Sequence, residues 1–225
     1  KLHPSTNTNN IILNGNDIEE IDILVVDHYA LDNLWENKFR DITKKLVVID
    51  DLANREHFCD ILLDQNMAPN YLTRYDNITP INSKKFLGIA YCLLSDDFLL
   101  AKASIKAREK LSNIVIFFGG VDKNNATLKL LSSLTKKLLE FEIIRVVVGQ
   151  SNPFKHKIEE FCQEHHNCVY LEQVSNMAEV LSESDLAIGA GGTTTGERIF
   201  LGLPSLVFSL ADNQVEVSKY LHENG

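Results

Sequence analysis

The chain has 225 residues, and 22 lysines and arginines against 31 aspartates and glutamates give it a formal net charge of −9. This length allows one large domain or two small ones, and it can bury a substantial core. Hydrophobic residues at 44% and charged residues at 24% are ordinary for a globular protein and exclude a disordered chain or a collagen-like repeat. The acidic balance disfavours nucleic-acid binding, and the lack of an apolar run of about 18 residues excludes a membrane-spanning helix.

The cysteine and aspartate patterns indicate neither a disulfide framework nor a metal centre. The four cysteines form no C-x-x-C pair; they are Cys59, Cys92, Cys162 and Cys168. Such sparse spacing is typical of free thiols, so we expect a protein of the reducing cytoplasm. The Asp50-Asp51 pair has no histidine at ligand-like spacing, which favours solvated loop carboxylates, with no metal and no cofactor. The opening on Lys1, without a signal-peptide pattern, predicts a piece of a longer protein.

Short apolar runs alternate with amphipathic stretches from residue 22 onward. In the first half, strands are predicted over 22–26, 46–49, 60–63 and 86–89, and helices over 31–40 and 97–111. In the second half, strands are predicted over 114–118, 143–148, 169–171, 185–188 and 205–208, and helices over 126–141, 153–165, 176–182, 194–201 and 214–223. This alternation is typical of βαβ units and of a parallel sheet covered on both faces. We expect two α/β lobes, over 1–104 and 112–225.

The first candidate site is a glycine turn over residues 117–125, called here the first glycine turn. Ligands of open α/β sheets bind at the carboxyl ends of strands, and Gly119 and Gly120 end a predicted strand just before a helix. Glycines let a ligand approach the backbone, and a helix start offers N–H groups to an anion. An ordinary strand-to-helix turn is the alternative.

The second glycine turn, over residues 189–197, repeats this arrangement. Five of the chain's 11 glycines lie between Gly189 and Gly202, and three threonines follow them at 193–195. Glu197 falls in the first turn of the next helix, where a carboxylate can grip a ribose diol or simply complement the helix dipole. The pattern is neither a P-loop nor a G-x-G-x-x-G unit. Together the two turns predict a diphosphate cradle of N–H groups and hydroxyls, with only Lys123 and Arg198 as nearby cations.

Two further loops follow predicted strands. After the first strand, His28 is a candidate base and Tyr29 a candidate hydrogen-bonding partner for a substrate. The structural alternatives are that Asp27 caps the following helix and that His28 satisfies a backbone group. Before the last helix, Asn213 can reach a ligand or serve only as an N-cap.

These segments together resemble a known enzyme family. VVDHYALD, VIDDLANREHFCDILLDQN, FFGGVDKNN, GAGGTTTGERIFLGLPSL and LADNQ are similar to the UDP-sugar hydrolases of pseudaminic acid biosynthesis. Those enzymes remove UDP from UDP-2,4-diacetamido-2,4,6-trideoxy-β-L-altropyranose. They are similar in fold to the glycosyltransferase that adds N-acetylglucosamine to the peptidoglycan lipid precursor. The resemblance implies a GT-B-like α/β fold of two Rossmann-like lobes with parallel sheets, the N-terminal lobe being incomplete in this chain, and binding of a UDP-sugar. We expect a monomer.

The resemblance also implies roles for individual residues. It implies that UDP is held by Gly119, Gly120, Val174, Gly191, Gly192, Thr193, Thr194 and Glu197. Within that set Glu197 would bind the ribose, and the backbone of Val174 would meet the uracil. Tyr29 and Asn213 would contact the reacting region between the lobes.

One family motif is absent from the sequence. The family opens with a Gly-x-Gly-His loop whose histidine is the expected general base, whereas Gly15 is the only glycine before residue 88 here. The implied reaction is attack of water on the anomeric carbon with inversion, releasing UDP. The alternatives are glycosyl transfer from a UDP-sugar, or UDP-sugar binding by a truncated fragment without activity.

Overall fold

The computed structural model describes residues 20–105 and 107–224, apart from the side chain of Asn213. It consists of two compact units. Within the described residues, the first unit comprises 20–66 and 70–91, and the second comprises 67–69 and 92–224. Residues 92–104, which the sequence pattern assigned to the first lobe, therefore pack in the second unit.

The first unit is a parallel sheet with one short helix. Its strands are β1 (Ile21–Asp27), β2 (Thr43–Ile49), β3 (Ile61–Asp64) and β4 (Lys84–Leu87), in the order β1-β2-β3-β4. Helix α1 (Asn33–Asn37) begins where the Asp32 side chain accepts hydrogen bonds from two backbone N–H groups. It is shorter than the predicted helix over 31–40, because a 3₁₀ turn, Arg40–Ile42, follows it.

The second unit is a five-stranded parallel sheet with helices on both faces. Its strands are β5 (Asn113–Phe117), β6 (Ile143–Val148), β7 (Cys168–Glu172), β8 (Leu186–Ala190) and β9 (Ser205–Phe208). Its helices are α2 (Asp96–Ser104), α3 (Ala126–Leu134), α4 (Lys155–Gln163), α5 (Met177–Ser182), α6 (Thr194–Phe200) and α7 (Asp212–Asn224).

Side chains of the central strands alternate between two buried clusters in the second unit. Ile114 and Ile116 pack with Leu131 of α3 on one face, while Val115 packs with Phe98 of α2 on the other. Successive strand residues point to opposite faces, so a sheet covered on both sides requires a continuous apolar run. The expectation of a parallel sheet covered on both faces is therefore confirmed for this unit.

The face of β1 is more open. Ile23 is 62% exposed and Val25 is 55% exposed, whereas Val26 on the opposite face is buried against Leu46 and Trp35. Among the described residues of the first unit, the main apolar cluster therefore lies on one side of the sheet. No helix in the described ranges is both long enough and apolar enough to cross a membrane.

The strand order of the second unit places its ligand crevice. In the order β7-β6-β5-β8-β9, the chain continues from β5 to β6 and β7 towards one edge of the sheet, and from β8 to β9 towards the other edge. The connections after β5 and β8 consequently leave on opposite sides of the sheet, and a crevice opens between their carboxyl ends. The first and second glycine turns follow β5 and β8 respectively.

Candidate functional site

A pocket of about 390 Å³ lies at the point where the strand order reverses. It is lined by Phe117, Phe118, Gly119, Val121, Asp122, Lys123 and Asn124 after β5, by Ala190, Gly192, Thr193 and Thr194 after β8, and by Leu210 and Gln214 near α7. The structure therefore brings both glycine turns around one space. Of the residues expected to hold UDP, the lining includes Gly119, Gly192, Thr193 and Thr194.

Three glycines of the two turns face open space. A Cβ atom placed on Gly119, Gly120 or Gly192 would meet no heavy atom within 4 Å. Gly119 has a φ of +95°, which favours glycine for conformational reasons alone. Gly120 and Gly192 have neither a positive φ nor a crowded Cβ direction. Nothing in the fold therefore requires glycine at these two positions, which leaves room for a ligand against their backbone.

Two other glycines are required by packing against backbone, and a third, Gly191, has a crowded Cβ direction. A Cβ on Gly149 would lie 2.1 Å from the carbonyl oxygen of Gly120, and one on Gly189 would lie 1.9 Å from that of Phe117. A Cβ on Gly191 would meet the hydroxyl of Ser218 at 2.8 Å. Gly191, expected at a phosphate, therefore packs towards α7 and lies outside the pocket lining. The sequence pattern did not single out Gly149, because no second glycine follows β6.

The start of α3 is already occupied by a carboxylate. Asp122 is buried, and its side chain accepts hydrogen bonds from Ala126 N at 2.8 Å and Thr127 N at 2.9 Å. The expectation that this helix start offers those N–H groups to an anion is wrong, since Asp122 caps them. The first glycine turn instead contributes the open backbone at Gly119 and Gly120.

The start of α6 has a different character. Thr193, at the N-cap position, makes no side-chain capping hydrogen bond, and Thr193 and Thr194 both line the pocket. Thr195 N donates to the carbonyl oxygen of Gly192 at 2.9 Å, which closes the turn. The second glycine turn therefore presents hydroxyls and open backbone to the same space.

Glu197 lies on α6, outside the pocket lining. Its Oε2 atom is buried and has no hydrogen-bond partner within the part of the chain that the structure describes. Burial raises the pKa of Glu197, and the charge of Arg198 opposes that rise. This buried carboxylate oxygen is therefore an unsatisfied hydrogen-bond acceptor.

Val174 follows β7 at a strained turn. Gln173 has a φ of 49° and donates its backbone N–H to Val148 at 2.9 Å. The side chain of Val174 packs against the apolar cluster that includes Val115 and Ala178. Val174 is therefore held by its side chain, and it lies outside the pocket lining.

In the first unit, the loop after β1 carries Tyr29 and His28. Tyr29 is 64% exposed, and its hydroxyl donates to Asp51 at 3.4 Å. Burial and the charge of Asp51 raise the pKa of Tyr29. His28 Nδ1 accepts a hydrogen bond from Ala30 N at 3.1 Å, which is the structural alternative considered for that residue. The helix cap expected of Asp27 is provided by Asp32.

Asp50 lies in a buried polar network, so its expectation as a solvated carboxylate is wrong. Its Oδ1 is 2.6 Å from Arg55 Nη1, and its Oδ2 accepts from Tyr75 at 3.0 Å and lies 3.8 Å from His57 Nε2. His57 Nδ1 is 2.7 Å from Glu36 Oε1. One signal of this buried network was present in the sequence but was not recognised: charged residues stand between the apolar runs.

The network sets the protonation of its members. Burial on its own lowers the pKa of His57, but the neighbouring carboxylates of Asp50 and of Glu36, which is hydrogen-bonded to Nδ1, outweigh burial and raise that pKa to about 9. Burial on its own raises the pKa of Asp50, but the nearby imidazole of His57 and the hydrogen bond from Ala53 N outweigh it and lower that pKa. His57 is therefore an imidazolium between two carboxylates at neutral pH.

Asn213, the four cysteines and possible metal ligands complete the candidates predicted from the sequence. Asn213 lies at the start of α7, and its side chain is outside the described residues. Its neighbour Gln214 lines the pocket and accepts a hydrogen bond from Leu210 N at 2.9 Å. All four cysteines are free thiols, as expected. No group of three or more His, Cys, Asp or Glu side chains within 20–105 and 107–224 is arranged to hold a metal ion.

The second unit is similar to a known glycosyltransferase domain. Residues 114–225 match the family described as glycosyltransferase family 28 C-terminal domain. MurG of Acinetobacter baumannii has a similar structure, with a TM-score of 0.54 and 16% identity over 91% of this chain and 58% of that protein. The fold is therefore GT-B-like α/β, with a parallel sheet in each unit.

Similar sequences include a UDP-sugar hydrolase. UDP-2,4-diacetamido-2,4,6-trideoxy-β-L-altropyranose hydrolase of Campylobacter jejuni is 26% identical over 92% of this chain and 73% of its own length. The uncharacterized protein MJ1062 of Methanocaldococcus jannaschii is 26% identical over 98% of this chain, which spans 46% of that protein. The spore coat polysaccharide biosynthesis protein SpsG of Bacillus subtilis is 25% identical over 64% of this chain and 43% of its own length. The resemblance inferred from the sequence motifs is confirmed.

Proposed function

We propose that this chain, whose residues 114–225 match the glycosyltransferase family 28 C-terminal domain, is part of a UDP-sugar hydrolase. The reaction releases UDP and free sugar from a UDP-linked diacetamido-trideoxy sugar in nonulosonic acid biosynthesis. One observation carries the proposal: two glycine turns with open backbone enclose one pocket at the switch point of the sheet. The similarity to the Campylobacter jejuni hydrolase selects the substrate class. The free thiols agree with a cytoplasmic enzyme.

The proposed binding mode follows from the lining of the pocket. The diphosphate lies against the open backbone of Gly119, Gly120 and Gly192, with the hydroxyls of Thr193 and Thr194 as donors. Backbone N–H groups and hydroxyls can hold a phosphate without a metal ion. Glu197, with its unsatisfied Oε2, accepts hydrogen bonds from the ribose, and the backbone of Val174 contacts the uracil.

The proposed reaction is a single displacement at the anomeric carbon. Water attacks the anomeric carbon and loses a proton to solvent, the bond from that carbon to the diphosphate oxygen breaks, and configuration inverts. The negative charge that develops on UDP is stabilised by the N–H groups of the glycine turns. Tyr29 and Asn213 are the proposed contacts of the reacting sugar. A neutral His28 whose Nδ1 accepts from Ala30 N carries its proton on Nε2. In this arrangement His28 is therefore a hydrogen-bond donor, and we assign no described residue as the general base.

The test is product analysis with the full-length protein and the UDP-sugar. Chromatography should show UDP release without an acceptor, and proton NMR should show inverted configuration in the first free sugar formed. In parallel, calorimetry on the 225-residue chain should show UDP binding. A folded full-length protein that releases no UDP would remove the hydrolase proposal. UDP binding without turnover by the shorter chain would identify it as a binding fragment.

Glycosyl transfer is the second candidate, favoured by the match to a glycosyltransferase domain. The nucleotide site of such an enzyme would look the same, because a fold does not determine its reaction. Release of UDP that strictly requires an added acceptor, with sugar recovered on that acceptor, would select transfer over hydrolysis.

Glu197 provides a separate prediction about nucleoside recognition. Glu197→Gln should weaken UDP binding by about tenfold or more, because a hydrogen bond to a charged group contributes about 1.5–3 kcal/mol. The same variant should lose discrimination between UDP and its 2′,3′-dideoxy analogue, since the lost acceptor served the ribose hydroxyls. Calorimetry with both nucleotides measures this, and Glu160→Gln on the exposed side of α4 is the matched control. Undiminished preference for UDP in Glu197→Gln would contradict the ribose role.

A further inference from the structure

Arg198 lies buried behind the second glycine turn. Arg198 is only 3% exposed. The guanidinium Nη2 donates to the carbonyl oxygen of Ala190 and to the hydroxyl of Thr195, each at 3.0 Å. Ala190 lines the pocket, so the positive charge lies one hydrogen bond behind the pocket wall.

Arg198 is the only fully buried arginine in the described ranges, and it has no carboxylate partner. Arg55 and Arg74 in the first unit form ion pairs with Asp50 and Asp64. Arg198 forms no ion pair with any residue of the described ranges, and its Nε atom is buried without a hydrogen-bond partner there. The adjacent Glu197 attracts it only at longer range.

An unpaired buried cation is costly, and an anion in the pocket would compensate it. Removing a charge from water costs several kcal/mol unless a counter-charge or hydrogen bonds replace the solvent. Burial accordingly lowers the pKa of Arg198. Ala190, which accepts a hydrogen bond from Arg198, lines the pocket together with Gly192, Thr193 and Thr194, so this pocket offers space for such a counter-ion.

We propose that Arg198 is a positioning residue that holds the second glycine turn in shape and supplies positive charge for the diphosphate of the nucleotide. It acts through the carbonyl of Ala190 and the hydroxyl of Thr195. This inference rests on the proposed UDP-sugar function. It adds a buried cation behind the backbone N–H groups and hydroxyls of the cradle, in addition to Lys123 in the pocket lining.

The test compares nucleotides that differ only in phosphate charge. Dissociation constants for UDP, UMP, uridine and inorganic pyrophosphate are measured by calorimetry or competition. Arg198→Met should weaken UDP and pyrophosphate binding by about 30-fold, UMP binding by less, and uridine binding by no more than about twofold. Arg198→Lys, which keeps the charge but not the fork of hydrogen bonds, should lie between Arg198→Met and the unmodified protein.

The control is Arg145→Met, which removes an arginine that is paired with Glu183 at 2.6 Å and lies outside the pocket lining. It should leave all four constants unchanged. Equal weakening of UDP and uridine in Arg198→Met, or unchanged UDP binding, would overturn the inference. If circular dichroism shows that Arg198→Met is unfolded, Arg198→Lys and Thr195→Val replace it in the test. Both variants must then weaken UDP binding more than uridine binding. An unmodified protein that binds neither UDP nor pyrophosphate would overturn the proposed function itself.

Discussion

Replacing Asp50 with alanine should destabilise the first unit by about 3–5 kcal/mol, the usual cost of breaking a buried ion pair by removing one partner. The side chain of Asp50 accepts from Tyr75, pairs with Arg55 and faces His57, all within a buried network. Its removal leaves the guanidinium of Arg55 and the hydroxyl of Tyr75 without their acceptor. The loss is therefore larger than that of any single hydrogen bond.

The single tryptophan makes this measurement specific. Trp35 is 8% exposed and lies next to Glu36 in the apolar cluster of the first unit, so its fluorescence reports the unfolding of that unit during urea denaturation. Asp76→Ala is the control, because the Asp76–Lys85 ion pair is partly exposed and should contribute less than about 1 kcal/mol. Similar losses in both variants would show that the Asp50 network contributes nothing beyond a surface pair.

The network also predicts how stability depends on pH. The pKa of His57 rises from an ordinary 6.5 to about 9 on folding, so its stabilisation is complete below pH 6.5 and is lost as the pH rises through 9. That rise corresponds to about 3 kcal/mol. The lowered pKa of Asp50 acts in the opposite direction, since its contribution is present above its unfolded pKa and is lost in stronger acid. In Asp50→Asn the loss of stability between neutral and alkaline pH should be shallower, as measured by Trp35 fluorescence.

Alanine at Gly192 and alanine at Gly189 should have opposite consequences. Gly192→Ala should weaken UDP binding by about tenfold or more while changing stability by less than about 0.5 kcal/mol, because its new methyl group occupies open space beside the proposed phosphate. Gly189→Ala should destabilise the second unit by about 3 kcal/mol or more, since its methyl group would lie 1.9 Å from the Phe117 carbonyl and would force β5 and β8 apart.

Calorimetry with UDP and circular-dichroism melts separate the two effects. Gly202→Ala offers a further control, because Gly202 faces open space but has a φ of +60° and lies after α6. It should lose some stability through backbone strain and keep full UDP affinity. Tight UDP binding by Gly192→Ala would show that the space beside the second glycine turn is not the phosphate site.

The sequence was informative about strands and turns for a physical reason. A parallel sheet covered on both faces needs uninterrupted apolar residues, so β5, β6 and β8 stand out along the chain. The glycines that follow β5 and β8 mark the two turns, because each comes directly after a recognisable strand, at the carboxyl edge of the sheet. Sequence alone does not distinguish Gly192, which faces open space, from Gly189, which packs against a neighbouring strand.

Charged groups were the harder part to predict. Asp50, His57 and Glu36 are separated along the chain, and each is ordinary in a solvated loop or helix until the fold brings the three together. Arg198 was equally hard to predict. Its position on α6 was foreseeable, but its burial depends on how that helix packs. Electrostatic partners across the sheet edge are a property of the tertiary structure, which local periodicity does not encode.

The contact between Gly149 and Gly120 has an evolutionary consequence. The loop after β6 touches the main chain of the first glycine turn so closely that the two segments can change only in concert. A homologue with a side chain at the position of Gly149 would have to displace the main chain of the first glycine turn.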